Sequence, residues 1–257
     1  MREQELMELL KTYHKYLEES RSPFLNNPQL SLYYDDVIRY LSMTFHEERI
    51  CLYPCLNDSV SETPIDKFYF YQDTWTARKI FEICPKRVVD AGSTALLVGI
   101  VSQFVPTVSV DVRPLPISLP DLTCMHASIT DLPFENSTVE LLSSMCVIEH
   151  VGLGRYGDKL DTQGSVKALM EVSRVIRQDG HFLFSVPLSH TPGLSFNAHR
   201  IFSKQQILTL LPDFILQDEI FLFPEPGSEA NVARLQNFQY CVWCAHMVKK
   251  NGLTVTD

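Results

Sequence analysis

The chain has 257 residues, 45% hydrophobic and 21% charged, with a formal net charge of −9 from 31 acidic and 22 basic side chains. That length and polarity suit one large core with an appendage and exclude a disordered-class composition. The acidic balance, without any run of Lys and Arg, speaks against a nucleic-acid partner. No apolar window reaches the roughly 20 residues that span a bilayer, and the first segment, MREQELMELLKTYHKYLEES, is charged throughout. The expectation is therefore a cytoplasmic protein without a membrane span.

Leu6, Leu9, Leu10, Tyr13 and Leu17 recur at helical spacing, and a second helix is expected over Tyr34 to His46. Residues 1–85 read as an N-terminal helical cap. Within them NDSVSETPID has turn composition. It leads into FYFYQDTWTARKIF, where Tyr69, Tyr71, Gln72 and Trp75 either wall a site or simply pack.

From residue 86 to 257 short apolar runs alternate with helical patterns. RVVDAG, TVSVDV, TCMHAS, VELLSSMCV and HFLFSVPL are rich in branched residues, as strands covered on both faces tend to be. Val166, Leu169, Val172, Val175 and Ile176 form one helical stripe that stops at Gly180, and Ser203 is placed to cap a shorter helix. FILQDEIFLF and FQYCVWCAHMV close the chain as two long strands. Alternation of this kind predicts a doubly wound, mostly parallel seven-stranded α/β sheet with an N-terminal helical extension.

Seven scattered cysteines suit reduced, buried thiols better than a disulfide framework. Cys241 and Cys244 have CxxC spacing but lie in a strand, where positions three apart face opposite ways, so a core role is expected. Cys51 and Cys55 lack a second pair of ligands, and no metal is expected.

In open α/β sheets a ligand lies beyond the carboxyl ends of the strands, at the switch point. After the first strand Asp90-Ala91-Gly92-Ser93-Thr94 makes a tight turn, in which Gly92 admits close approach and Ser93 or Thr94 caps a helix. Asp111 ends the second strand 21 residues past Asp90, the spacing of an acid that holds a ribose diol. Ser128 and Ile129 follow the third strand, and the fourth runs into EHVGLGRYGD.

VVDAGS, SVDVRP, ASITDLPFENSTVELLSSMCVIEHV and SRVIRQDGHFLFSVP resemble, in order and spacing, the motifs of class I S-adenosylmethionine-dependent methyltransferases. Within that superfamily EHVGLGRYGD and FNAHRIFS look like a poorly characterised branch associated with bacterial surface-polysaccharide gene sets. The resemblance implies a Rossmann-like methyltransferase domain using S-adenosylmethionine. It implies that Asp90, Gly92 and Ser93 meet the methionine end, Asp111 the ribose, and Ser128 with Ile129 the adenine. Arg113 either stacks on the adenine or is solvated. Where such enzymes carry D-x-G-x-G-x-G, this chain has Thr94 and Leu96 at the second and third glycines.

The loop after the fourth strand would then face the transferred methyl group. Its three glycines let it fold over the pocket, and His150 is the first choice as base because an ordinary imidazole takes a proton near neutral pH. Glu149 orients it or binds hydroxyls. Arg155, Tyr156 and Asp158 suit a polar or anionic acceptor, or else brace the loop, with Arg155 pairing Asp158. His199, with Arg200 and Asn197, completes the pocket from the long Ser189–Ser203 loop, read as lacking structure of its own. His126, His181 and His190 are given structural or surface roles.

The function expected is O-methylation of a sugar or glycan precursor, the partner being a small-molecule or glycan acceptor. Two alternatives stay open: a catalytically inactive binding protein on the methyltransferase fold, and a nucleotide-sugar enzyme of different chemistry. The sequence does not set the oligomeric state.

Overall fold

A computed structural model describes residues 3–43, 51–223 and 240–250. The chain divides into two units, residues 1–65 and 66–257. In the first unit lie α1 (Glu3–Glu19), a 3-10 turn (Pro23–Asn26) and α2 (Gln29–Ser42). Leu17, Leu30 and Leu56 form its small core, with Tyr13, Phe24 and Tyr34 packed around them. The second helix starts earlier than its apolar pattern suggested because Asn27 accepts the Gln29 N–H at 2.9 Å and Pro28 pre-sets the first turn. The last three positions of the expected helix, 44–46, lie outside the described residues.

The second unit begins at Asp66, one helix before the α/β alternation and before the boundary at residue 85 that the sequence predicts. That helix, α3 (Lys67–Ile83), is capped by Asp66, whose carboxylate accepts the Tyr69 N–H, and ends at Cys84 in left-handed backbone. Then follow β1 (Val88–Ala91), α4 (Ala95–Val101), β2 (Thr107–Asp111), β3 (Leu122–His126), β4 (Val139–Met145) and α5 (Gly164–Val175). The remainder is β5 (Ile176–Leu188), β6 (Gly193–Ser195), β7 (His199–Ile201), α6 (Lys204–Leu210), β8 (Phe214–Leu222) and β9 (Cys241–Lys249).

Seven strands form one sheet in the order β3-β2-β1-β4-β5-β9-β8. Pairing is parallel from β3 through β5, while β9 runs antiparallel to both neighbours. The sheet separates two apolar layers. Ala168, Leu169, Val172 and Ile207 of α5 and α6 meet Phe182, Phe184 and Trp243 on one face. Ile80, Leu97 and Val101 of α3 and α4 meet Leu183, Val242 and Cys244 on the other. Alternate residues of β5 and β9 thus serve opposite layers, as the period of a strand requires. Cys241 packs against the first layer and Cys244 lies in the second, so the two thiols sit on opposite faces.

Two expectations need correction. The stripe of α5 stops at Val175, and Ile176 turns extended to open β5 beside Val139. A β-branched residue in reach of the sheet edge is held better by the ladder than by one more helical turn. The Ser189–Ser203 segment also has structure of its own, since β6 and β7 pair as a short antiparallel hairpin.

Because the chain runs β1 to β3 in one direction and then returns to β4 on the other side of β1, the switch point lies at the carboxyl ends of β1 and β4. The residues leaving those strands are the ones that meet a ligand.

Candidate active site

A cavity opens at that switch point, its space about 820 Å³ with the open mouth included. Gly92, Ser93, Asp111, Ser128 and Ile129 line it, as do His150, Tyr156 and Asp158. Tyr69 of α3 stands at its side, with burial pushing the phenol up to about 12.

The turn after β1 is held by side chains. Asp90 is buried, accepting the Ser93 N–H at 3.0 Å and the Ser143 hydroxyl at 2.6 Å. It therefore sits behind the wall and braces the turn, in contrast to the ligand contact expected of it. Burial raises its carboxyl to about 6. The Ser93 hydroxyl accepts the Met145 N–H at 3.0 Å, tying the turn to the end of β4.

Gly92 has φ +77°, and a Cβ there would come within 3.0 Å of a Val147 methyl and 3.6 Å of Asp111 Oδ2. Only glycine keeps this approach open. Asp111 accepts the Arg113 N–H through Oδ1 at 2.6 Å, leaving Oδ2 on the cavity side. Ser128 spends its hydroxyl on Thr130 at 2.8 Å, so Ile129 is the apolar part of that wall.

β4 runs into Cys146, in left-handed backbone at φ 53°, and then a 3-10 turn, Ile148–His150. This turn places Glu149, buried, next to His150, which lines the cavity. Beneath it the Gln72 side-chain oxygen accepts from the Cys146 thiol at 3.0 Å and the Ser185 hydroxyl at 2.6 Å. The Cys146 thiol is pushed well above its ordinary value by burial, which leaves it no thiolate for nucleophilic chemistry near neutral pH.

His150 Nδ1 lies 2.6 Å from the Ala198 carbonyl oxygen. A carbonyl only accepts, so Nδ1 carries the hydrogen and Nε2 bears the lone pair. Arg155 donates to the same carbonyl at 3.1 Å, and its 3.4 Å approach to Nδ1 sets two donors side by side. Nε2 stands 3.7 Å from Glu149 Oε1, too far for a hydrogen bond. Burial raises Glu149 to about 8 and lowers His150 to about 4. At neutral pH the contact is therefore between uncharged groups, and the ordinary imidazole value expected from sequence does not apply. The two side-chain atoms that are buried without a partner among the described residues are Glu149 Oε2 and His199 Nε2. The His199 ring lies 6.4 Å from that of His150.

The rest of the loop braces itself, though not by the expected pairing of Arg155 with Asp158. Asp158 accepts the Gly152 N–H at 2.6 Å and the Tyr156 N–H at 3.3 Å. Arg200 donates to the Val151 and Asp161 carbonyls and to Ser165, fixing the loop from below. Asn197 is exposed. Of the hairpin residues expected in the acceptor pocket, only His199 approaches His150. Arg113 stacks on Tyr156, 4.3 Å from the ring centroid. Of the α3 residues singled out, Tyr69 reaches the cavity, Gln72 is buried under it, Tyr71 is exposed and Trp75 packs in the core. Cys146, Val147 and Val151 also line the cavity, although nothing in an apolar run ending a strand distinguishes them from core residues.

Among the described residues no cluster of three or more His, Cys, Asp or Glu is placed to hold a metal ion. None of their helices is long and apolar enough to cross a membrane.

Residues 129–219 match a family described as "Caenorhabditis protein of unknown function, DUF268". No curated protein matches the chain. Among solved structures it is similar to the YcgJ protein from Bacillus subtilis, at 15% identity and TM-score 0.51 over 71% of this chain and 100% of that one. It is also similar to a Burkholderia thailandensis 1,6-didemethyltoxoflavin-N1-methyltransferase with bound 1,6-didemethyltoxoflavin and S-adenosylhomocysteine, at 18% identity and TM-score 0.50, covering 72% and 84%. A third is the [4+2]-cyclase SpnF, at 11% identity and TM-score 0.50, covering 68% and 82%. The fold is the Rossmann-like fold of class I methyltransferases. SpnF is a reminder that one fold hosts more than one chemistry, so activity must be argued from the site.

The residues present fit the cofactor that this fold implies. The Gly92 turn has room for backbone-close binding, the free Asp111 oxygen faces the same space, and Ile129 supplies an apolar wall. The replaced glycines do not fill it. Thr94 caps α4 and donates its hydroxyl to Asp73 at 2.7 Å, and Leu96 is 71% exposed on the outer side of α4.

Proposed function

We propose that the protein is an S-adenosylmethionine-dependent methyltransferase acting on a hydroxyl, most simply one borne by a sugar or glycan precursor. The observation that carries this reading is the polar group beside the cavity: His150 lines it, and the neighbouring Glu149 Oε2 and His199 Nε2 are buried without a partner among the described residues. A buried polar atom without a partner costs about 1–3 kcal/mol, and such a cost concentrated around one imidazole at a ligand cleft marks a functional site. When bound, S-adenosylmethionine supplies an electrophilic methyl group on a sulfonium.

Gly92, Asp111 and Ile129 would hold it, and the adjacent floor would present the acceptor. His150 is neutral across the physiological range and fixed by the Ala198 carbonyl with its lone pair on Nε2. It takes the proton that the acceptor hydroxyl loses as its oxygen bonds to the methyl carbon. Positive charge then develops on the imidazole, 3.7 Å from the Glu149 carboxyl. The hydroxyl acceptor is supported by the need for such a base, and a sugar by the Tyr156 ring and the polar groups around it.

The test is a thermal-shift titration with S-adenosylmethionine and S-adenosylhomocysteine. Ligand at 100 times its Kd stabilises by about 2.7 kcal/mol, worth several degrees in a chain of this size. The shift should vanish in Asp111→Ala and survive in His150→Gln, while His150→Gln should lose methyl transfer by about 10²–10⁴-fold. No shift in the wild type at millimolar ligand would overturn the reading.

A further inference from the structure

At the cavity mouth two loops meet through one aromatic ring. Arg113, just past β2, lies 4.3 Å from the Tyr156 centroid, and Arg155 lies 5.0 Å from the same centroid. The Tyr156 ring stands edge-on to His150, 5.6 Å away. Two guanidiniums thus converge beside the imidazole of the proposed active site, in a chain whose net charge is −9.

Neither guanidinium has a carboxylate for a partner among the described residues. Of the acids nearby, Asp158 accepts the Gly152 and Tyr156 N–H groups, and Asp111 accepts the Arg113 N–H through Oδ1. The Arg113 side chain makes no hydrogen bond among the described residues, is exposed to solvent and lines the cavity. Its guanidinium carbon lies over the Tyr156 ring, and its N–H groups, which make no hydrogen bond among the described residues, form a fork that matches the paired oxygens of a carboxylate or phosphate. Arg155 gives one nitrogen to the Ala198 carbonyl and keeps the others.

We infer that this Arg113–Tyr156–Arg155 stack is an oxyanion subsite, and that the acceptor carries a phosphate or a carboxylate bound there while its hydroxyl meets His150. The inference rests on the methyltransferase reading and narrows it from any sugar to an anionic one. A sugar phosphate and a uronic acid share the chemistry.

The experiment is calorimetric titration of the full chain, saturated with S-adenosylhomocysteine, with glucose 6-phosphate, glucuronate and methyl glucoside. At least one charged sugar should bind about tenfold or more tighter than methyl glucoside, the ratio that one charge-assisted hydrogen bond supports. Added KCl should weaken it, since the subsite is exposed. Arg113→Gln should lose that advantage while unfolding in urea at the wild-type midpoint, which shows that the variant is folded. The better of glucose 6-phosphate and glucuronate identifies the source of the anion. Equal binding of methyl glucoside, no binding of either charged sugar, or undiminished binding by Arg113→Gln would each overturn the subsite. Failure of S-adenosylhomocysteine itself to bind would sink the methyltransferase reading separately, and the same sugar titrations on the unloaded protein would still decide the subsite.

Discussion

Glu149→Gln isolates the energetic cost of the proposed active site. Glu149 is 2% exposed, and burial raises its carboxyl from 4.5 to about 8. Between those values the folded protein holds a proton that the unfolded chain has released, so stability falls as pH rises and the loss levels off above about 8. The interval from 4.5 to about 8, converted at about 1.36 kcal/mol per pH unit, is about 5 kcal/mol in full.

Part of that range is shared with neighbours. Asp90, raised to about 6, tilts stability the same way below that pH, and His150, lowered from 6.5 to about 4, tilts it the opposite way. Above 6.5 Glu149 is the one of the three still titrating. From there to about 8 the wild type should lose about 2 kcal/mol. The amide that replaces the carboxyl has no proton to release, so urea unfolding of Glu149→Gln should show this slope removed, whatever constant offset the amide introduces. Parallel stability curves for the two proteins over pH 6.5 to 8 would refute the assignment of a neutral, buried carboxyl at this position.

Three other outcomes are expected. Gly152→Ala would force a Cβ to 2.1 Å from the Asp161 carbonyl oxygen at φ +81°, so it should cost more than about 2 kcal/mol by chemical unfolding. Gly92→Ala meets side-chain atoms rather than backbone, the Val147 methyls at 3.0 and 3.2 Å, so it should cost less stability than Gly152→Ala while weakening S-adenosylhomocysteine binding, as calorimetry would show. His181 Nδ1 and His246 Nε2 lie 2.9 Å apart, and burial lowers both rings, His246 to about 4. A folded value below the unfolded 6.5 means stability lost on acidification, so the advantage of wild type over His246→Gln should shrink as pH falls from 6.5 toward 4 in urea melts.

The sheet was legible because its strands are short branched runs: VVDA and TVSVD carry no periodicity that a surface helix would need. The carboxyl-end rule then located the site, since the residues leaving β1, β2 and β4 all reach one cavity. What escaped the sequence is carried by pairs far apart in the chain. Ser185 reaches Gln72 across 113 residues, and His150 is fixed by a carbonyl 48 residues away. The ordinary histidine value was the wrong starting point for that reason: local sequence names the imidazole, while its burial is set by the β6–β7 hairpin and by loop packing. Asp90 was assigned to the ligand on its position in the motif, yet Ser143 and the Ser93 N–H turn it inward. The Ser-Ser pair between the apolar Leu142 and Met145 of β4 is the trace of that arrangement in the sequence.

The altered turn after β1 has a mechanical logic. A turn of three glycines owes its shape to the absence of side chains, whereas here only Gly92 keeps that role and the rest is fastened by bonds. Asp90 holds the Ser93 N–H, Ser93 holds Met145, and Thr94 both caps α4 and grips Asp73 on α3. Replacing flexible glycine by bonded residues lowers the entropy lost on ordering the turn. It also couples the turn to a buried acid near 6. Protonation of Asp90 would remove the anion that holds Ser93, so ligand affinity should weaken below that pH even though His150 stays neutral down to about 4. The acid limit of the site is thus set at the cofactor turn and the alkaline one, near 8, at Glu149. Binding of S-adenosylhomocysteine measured against pH should lose its acid limb in Asp90→Asn and keep it in Glu149→Gln.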